Sequence, residues 1–350
     1  VSGVSAITVG NGGALTISEA QLSTFNGTDG FSMTGDSAEV ITVAANGGAS
    51  TVTGASIVYS EIGLSFTSDN AADSFTGGTG NDNVNVPGGT GVATIALGAG
   101  TSDTITVTGA DLDATGDTLT GIEKVVLGDL DLTIDAADLA TNALTSVTGD
   151  AGGALGLLKV NGTAGVDSID VSAITTTTQA AVEVTAGAGL DTITTAATGA
   201  VRIVTGSAAA NADTVVAFTS GTDVLDIGAA WTATGATLTI PASAVAAGAA
   251  ANTAAAIALV DTAADTDADV YYVDNEGSSA LTLTQIETAI TAGNAATGEM
   301  ILILDDGTNT KVYFDAAAQT DAGSGGGLIL LATLNGLTGV ALATNDIYAT

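Results

Sequence analysis

The 350-residue chain has no cysteine, no histidine, one tryptophan, two prolines and only four basic side chains, Lys124, Lys159, Arg202 and Lys311. Each absence closes off a chemistry. Without histidine there is no Ser-His-Asp triad, no imidazole base and no histidine-ligated zinc. Without cysteine there is no thiol nucleophile, thiolate metal centre or disulfide. Four scattered cations against 38 acidic side chains, a formal charge of −34, leave no phosphate-binding surface. Nucleic acid is excluded as a partner on that ground, and anionic membrane is a poor one. No span reads as a transmembrane helix: 240–260 is mostly alanine, and 322–345 is broken by Asn335, Gly336, Thr338 and Gly339. The expectation is a chain that is neither an enzyme nor transmembrane.

What remains is aliphatic and small. Hydrophobic residues make up 46% and aromatics 3%, so the core must be built from Val, Ile, Leu and Ala. Runs such as EVITVAA, TITVTG, EKVVLGDLDLTI and VRIVTG place β-branched residues at alternate positions between Gly, Asp and Asn turns. That pattern predicts an all-β fold, either an elongated irregular β-solenoid or a β-sandwich, with a thin core between closely stacked backbones. Only SEAQLSTF (18–25) and DAADLATN (135–142) can each make a turn or two of helix before residue 230. Beyond it, 241–264 and 282–293 are expected to be helical.

A repeating unit runs through the chain. Residues 77–85 read GGTGNDNVN, and SDNAADSFT (68–76) precedes it by nine residues, aligning Asp73 and Phe75 with Asp82 and Val84. The frame recurs as GGTGVATIA (88–96), GAGTSDTIT (98–106), GTAGVDSID (162–170), AGAGLDTIT (186–194) and NADTVV (211–216). Its constant element is an Asp two residues ahead of a large apolar side chain, with Ala93 in place of the Asp in 88–96. Glycines permit a tight turn, the Asp closes it, and the apolar residue enters the core. Stacked turns of this kind can assemble carbonyl and carboxylate oxygens around a hard cation that takes 6–8 oxygen ligands, which points to calcium.

GGTGNDNVN resembles the glycine-rich nonapeptide of RTX proteins at every defined position. ADTVVAFTSGTDVLDIG (212–228) is similar to the line that closes an RTX domain, with Asp213, Phe218, Gly221, Asp223 and Asp226 in place. LTGIEKVVL (119–127) resembles a phrase of bacterial S-layer proteins and of surface adhesins secreted by type I systems. The C-terminal part resembles the uncleaved region that such systems recognise. The resemblance implies several bound Ca2+ ions. Its candidate ligands are Asp69, Asp73, Gly78, Gly80, Asn81, Asp82, Asp103, Asp167, Asp191, Asp213, Asp223 and Asp226. Long spacers between units favour an irregular solenoid over a regular roll. Asp129, Asp131 and Asp135 read as a solvated strand face, and DTDAD (265–269) and Asp305-Asp306 as solvated loops.

Four regions are expected: an N-terminal β region over 1–110, a connecting β segment over 111–155, a second solenoid region over 156–235, and a C-terminal α+β cap over 236–350. The absence of an initiator Met or a basic-then-apolar leader at Val1 reads as a processed product or a fragment. The functional expectation is a secreted, calcium-dependent structural protein at a bacterial cell surface, assembling with copies of itself as an S-layer lattice or matrix fibre. Cell-surface polysaccharide is a further expected partner. The alternative is the C-terminal module of a larger adhesin or secreted hydrolase.

Overall fold

The computed structural model describes residues 6–9, 14–26, 32–34, 40–44, 47–53, 58–60, 63–89, 94–177, 179–195, 199–206, 211–227, 269–274, 282–285, 300–315, 328–338, 342 and 346–348. They are nearly all β, with parallel coils stacked as a β-solenoid. Two compact units divide the chain: Val1–Asn161 with Ala173–Glu183, and Gly162–Ser172 with Val184–Thr350.

In the first unit the chain alternates between sheets as it coils. One parallel sheet has four strands, Thr51–Thr53, Ser74–Thr76, Thr94–Ala96 and Thr118–Thr120. The opposite sheet has eight, in the spatial order Ala14–Ser18, Val40–Ala44, Gly63–Thr67, Asn83–Pro87, Thr104–Thr108, Lys124–Gly128, Ser146–Gly149 and Thr175–Thr176. Strands Leu112–Asp113, Leu132–Asp135 and Gly156–Asn161 pair in a third sheet, and Ala6–Thr8, Ser32–Thr34 and Val58–Ser60 in a fourth.

Period-2 alternation sets the core. Val52, Phe75, Ile95 and Leu119 stack in register from one side, and Phe66, Val84, Ile105 and Val125 from the other, all buried. Phe75 pairs with Ile95 and Val84 with Ile105, so the nonapeptide is half a coil. Moving nine residues carries the chain across the core to the opposite sheet. Asp73 and Asp82, aligned in sequence, therefore open strands of different sheets.

Helices Glu19–Asn26 and Ala136–Thr141 form where the sequence allows a helical turn or two. They pack against the two outer strands of the four-stranded sheet. Glu19 Oε1 accepts the Thr51 N–H at 3.0 Å, Asp138 Oδ1 accepts the Leu119 N–H at 3.2 Å, and Asn142 Nδ2 donates to the Leu119 carbonyl at 2.8 Å. Backbone groups that would otherwise invite another strand are thereby occupied.

In the second unit, Ser168–Asp170, Thr192–Thr194, Asp213–Val216 and Ile329–Asn335 pair in parallel. Asn309–Asp315 and Met300–Asp305 then add antiparallel, and Asp269–Asp274 adds parallel to the last. Val201–Val204, Val224–Asp226 and Ile347–Tyr348 form a further parallel set. The acidic pair at 305–306 departs from expectation. Asp305 is 1% exposed, because it ends an inward strand and its Oδ1 accepts the Gly307 N–H at 2.9 Å. Asp306 pairs with Lys311 at 2.7 Å and turns the hairpin through the Thr308 and Asn309 N–H groups. The expected helix at 241–264 lies outside the described residues. Of 282–293, residues 282–285 are described and 283–285 are helical.

Candidate metal centre

Asp73, Asp82, Asp103, Asp191 and Asp213 are buried and Asp167 is half-buried, and at least one oxygen of each accepts a backbone N–H. Asp82, 1% exposed, shows the pattern. Its Oδ2 accepts the Gly78 N–H of its own turn at 2.8 Å, and its Oδ1 accepts the Leu64 N–H of the preceding coil at 2.6 Å. The Asp82 N–H in turn donates to Asp103 Oδ1 at 2.7 Å, and the Asp103 N–H to Glu123 Oε2 at 2.9 Å. Acidic side chains thus run up one edge of the eight-stranded sheet, each tying its coil to the one before.

Glycine makes room for this. A Cβ on Gly77 would lie 2.1 Å from Asp82 Oδ2, and one on Gly100 2.2 Å from Asp103 Oδ1. The glycine five residues ahead of Asp82 and the one three ahead of Asp103 are therefore steric requirements of a carboxylate folded back on its own turn.

A second ladder lies within the other unit. The Asp167 N–H donates to Asp191 Oδ1 at 2.7 Å and the Asp191 N–H to Asp213 Oδ1 at 3.2 Å. Asp167 Oδ2 accepts the Thr163 N–H and hydroxyl at 2.6 and 2.8 Å. The Oδ2 atoms of Asp191 and Asp213 are buried and have no hydrogen-bond partner. A third set follows, in which Asp223 accepts the Thr219 and Val201 N–H groups at 2.8 and 3.1 Å, and Asp346 accepts the Gly221 N–H at 2.7 Å.

Burial governs the electrostatics. Loss of water pushes Asp82 up to about 7, against the pull of its Leu64 and Gly78 N–H donors and with the Asp103 charge adding to the rise. Burial likewise raises Asp103 to about 6 and Asp213 to about 7, with Glu123 and Asp191 respectively as like-charged neighbours. Asp223 is raised by burial as well. Three of the four basic side chains are engaged elsewhere, Lys159 with Asp131, Arg202 with Asp226 and Lys311 with Asp306.

The remaining candidates divide. Asp73, 1% exposed, accepts the Ser50, Asp69 and Asn70 N–H groups and the Ser68 hydroxyl at the entry to the four-stranded sheet, apart from the Asp82 ladder. Asp69 accepts the Gly47 N–H at 3.0 Å, and Asn81 Oδ1 the Thr101 N–H at 3.1 Å. The Gly78 carbonyl accepts the Ala99 N–H at 2.9 Å, and Gly80 is buried. Asp226 is the ion-pair partner of Arg202. Asp131 accepts the Leu157 N–H at 2.9 Å besides its pair with Lys159.

Sequence reasoning missed Glu123, Asp138 and Asp346. Glu123 was legible, since it stands two residues ahead of buried Val125 as each repeat Asp does. Asp138, 8% exposed and with its Oδ2 lacking a partner, belongs to a helix and carries no such signature.

The donor chemistry is all oxygen, which suits a hard cation. Among the described residues no three acidic side chains gather at metal-binding spacing. The fit is therefore to a pair of carboxylates completed by backbone carbonyls or water, and the free Oδ2 atoms of Asp191 and Asp213 meet it best. No family model matches the chain, and neither does any curated protein or solved structure. Among the described residues no helix is long and apolar enough to cross a membrane.

Proposed function

We propose that the chain is a secreted structural protein whose solenoid is stabilised by calcium and which assembles with copies of itself at a bacterial cell surface, as an S-layer lattice or matrix fibre. The observation that carries the calcium reading is the Asp191–Asp213 pair: two buried carboxylates on successive coils, joined by one N–H bond, each with an oxygen that lacks a donor. Calcium supplies positive charge that demands oxygen ligands and tolerates irregular geometry. Asp167, Asp191 and Asp213 hold the turns in register for it, and Asp82 with Asp103 does so in the first unit.

Self-assembly and surface location rest on the resemblance of the repeats and on the lack of catalytic residue types. The experiment is a thermal melt followed by circular dichroism in millimolar calcium and in EDTA, with electron microscopy of the same samples. Calcium is expected to raise the melting temperature and to permit ordered assemblies that EDTA dissolves. Asp191→Asn with Asp213→Asn is expected to remove much of that calcium shift. A melting temperature and assembly state indifferent to EDTA overturn the reading.

A further inference from the structure

The outward face of the four-stranded sheet is uncharged in a strongly acidic molecule. Its eight outward positions form two columns in strict parallel register: Thr51, Ser74, Thr94 and Thr118 in one, Thr53, Thr76, Ala96 and Thr120 in the other. Seven of the eight carry a hydroxyl and none carries a charge, in a chain of formal charge −34. Thr51 and Thr118 are exposed and the other six half-buried, while the residues between them point inward.

Sheet geometry fixes the spacing of these groups. Neighbouring strands lie about 4.8 Å apart, and alternate residues along a strand about 6.6 Å. A two-dimensional lattice of hydroxyls with those repeats comes close to the oxygen repeats along the two axes of a prism face of hexagonal ice. Each threonine adds a hydroxyl that both donates and accepts, and a methyl group that holds the adjacent water in place.

Several features of this face favour a neutral crystalline ligand. On the eight-stranded sheet the outward groups of the central strands are in part engaged with one another: the Thr106 hydroxyl donates to Asn83 at 3.1 Å, and Asn85 donates to Thr67 at 3.4 Å. That face also carries Lys124 beside Thr104. Among the described residues no hydrogen bond engages the hydroxyls of Thr53, Thr76, Thr118 or Thr120. Both edges of the four-stranded sheet are closed by helices, so its face, and not its edge, is what it presents. No aromatic ring stands on that face to stack a sugar, since Phe75 is buried beneath it.

We propose that this face binds ice, with water of a crystal surface as the ligand and the two hydroxyl columns as the site. The proposal is independent of calcium binding. The test is partition of the purified full chain into slowly growing ice, together with inhibition of ice recrystallisation. Circular dichroism checks that every sample is folded. The wild type is expected to enrich in the ice fraction and to keep crystals small. Thr76→Lys, which places a charged chain in the centre of the array, is expected to lose both effects. Thr106→Lys on the eight-stranded sheet is expected to keep them. Should Thr76→Lys fail to fold, Thr53→Lys and Thr120→Lys make the same disruption nearer the ends of the columns. Exclusion of folded wild type from ice overturns the proposal, as does equal loss in Thr106→Lys, or retention on crystalline chitin with exclusion from ice.

Discussion

A buried aspartate that satisfies two backbone N–H groups stabilises a turn and at the same time carries a desolvated charge. For Asp82 the charge term dominates, hence its rise to about 7. The unfolded carboxyl titrates near 4. Between these values the folded chain holds protons that the unfolded chain has released, so stability falls as pH rises. Asp103 and Asp213 act in the same sense, through about 6 and about 7. The metal-free protein is therefore expected to be more stable at pH 5 than at pH 8, which urea titrations in EDTA measure. Asp82→Asn removes this titration but points an amide N–H2 at one of the two donors, leaving an N–H unsatisfied at a cost of about 1–3 kcal/mol. The variant is expected to be less stable than wild type at pH 5, with the gap narrowing toward pH 8. A gap that stays constant across that range refutes the assignment of the titration to Asp82. The sequence showed where these carboxylates stand, because the Gly-x-x-x-x-Asp frame is local. Their double N–H contacts were not legible, because the second donor lies on another coil, 18 residues away for Leu64.

At the scale of the element, the strands could be read from period-2 patterning, and both short helices from SEAQLSTF and DAADLATN. Sheet membership could not. It depends on how many residues complete a half coil, which the strand pattern itself does not encode; hence Asp73 and Asp82 look equivalent in sequence and open opposite sheets. The same crossing brings Phe66 and Phe75 face to face across the core, with ring centroids 5.8 Å apart and planes within 13°. Among the described residues these are the two largest fully buried side chains. In a first-unit core otherwise made of Val, Ile, Leu and Ala among the described residues, Phe75→Ala is expected to cost about 3–5 kcal/mol, read as a shift in the urea midpoint. The turn between sheets is equally constrained. Gly98 has φ +95°, and a Cβ there would lie 2.3 Å from the Gly78 carbonyl oxygen. Gly98→Ala is therefore expected to destabilise the first unit more than Gly89→Ala, whose φ of +80° is also strained but which has nothing within 4 Å. Comparable losses for the two would show that φ, not the approach of coils, sets the cost.

For the whole molecule, the −34 charge opposes compaction, and the ladders place part of it where water is scarce. Protons and divalent cations are alternative remedies for the same burial. At low pH Asp213, raised to about 7, is neutral and a cation gains little. At pH 8 its charge attracts a cation most. Calcium stabilisation is therefore expected to grow with pH, opposite to the trend of the metal-free protein, so that calcium flattens the pH profile. For a site with Kd on the order of 10⁻⁴–10⁻³ M, typical of extracellular modules, calcium at ten times Kd contributes about 1.4 kcal/mol. Monovalent salt screens surface repulsion but lacks the charge density to replace water at a buried pair. Sodium chloride at matched ionic strength is thus expected to leave most of the difference between pH 5 and pH 8 intact. Paired urea titrations at pH 5 and pH 8, in calcium, sodium chloride and EDTA, separate the two effects. If sodium chloride flattens the profile as fully as calcium does, the charge acts as a diffuse property of the surface and the ladder carboxylates bind no specific ion.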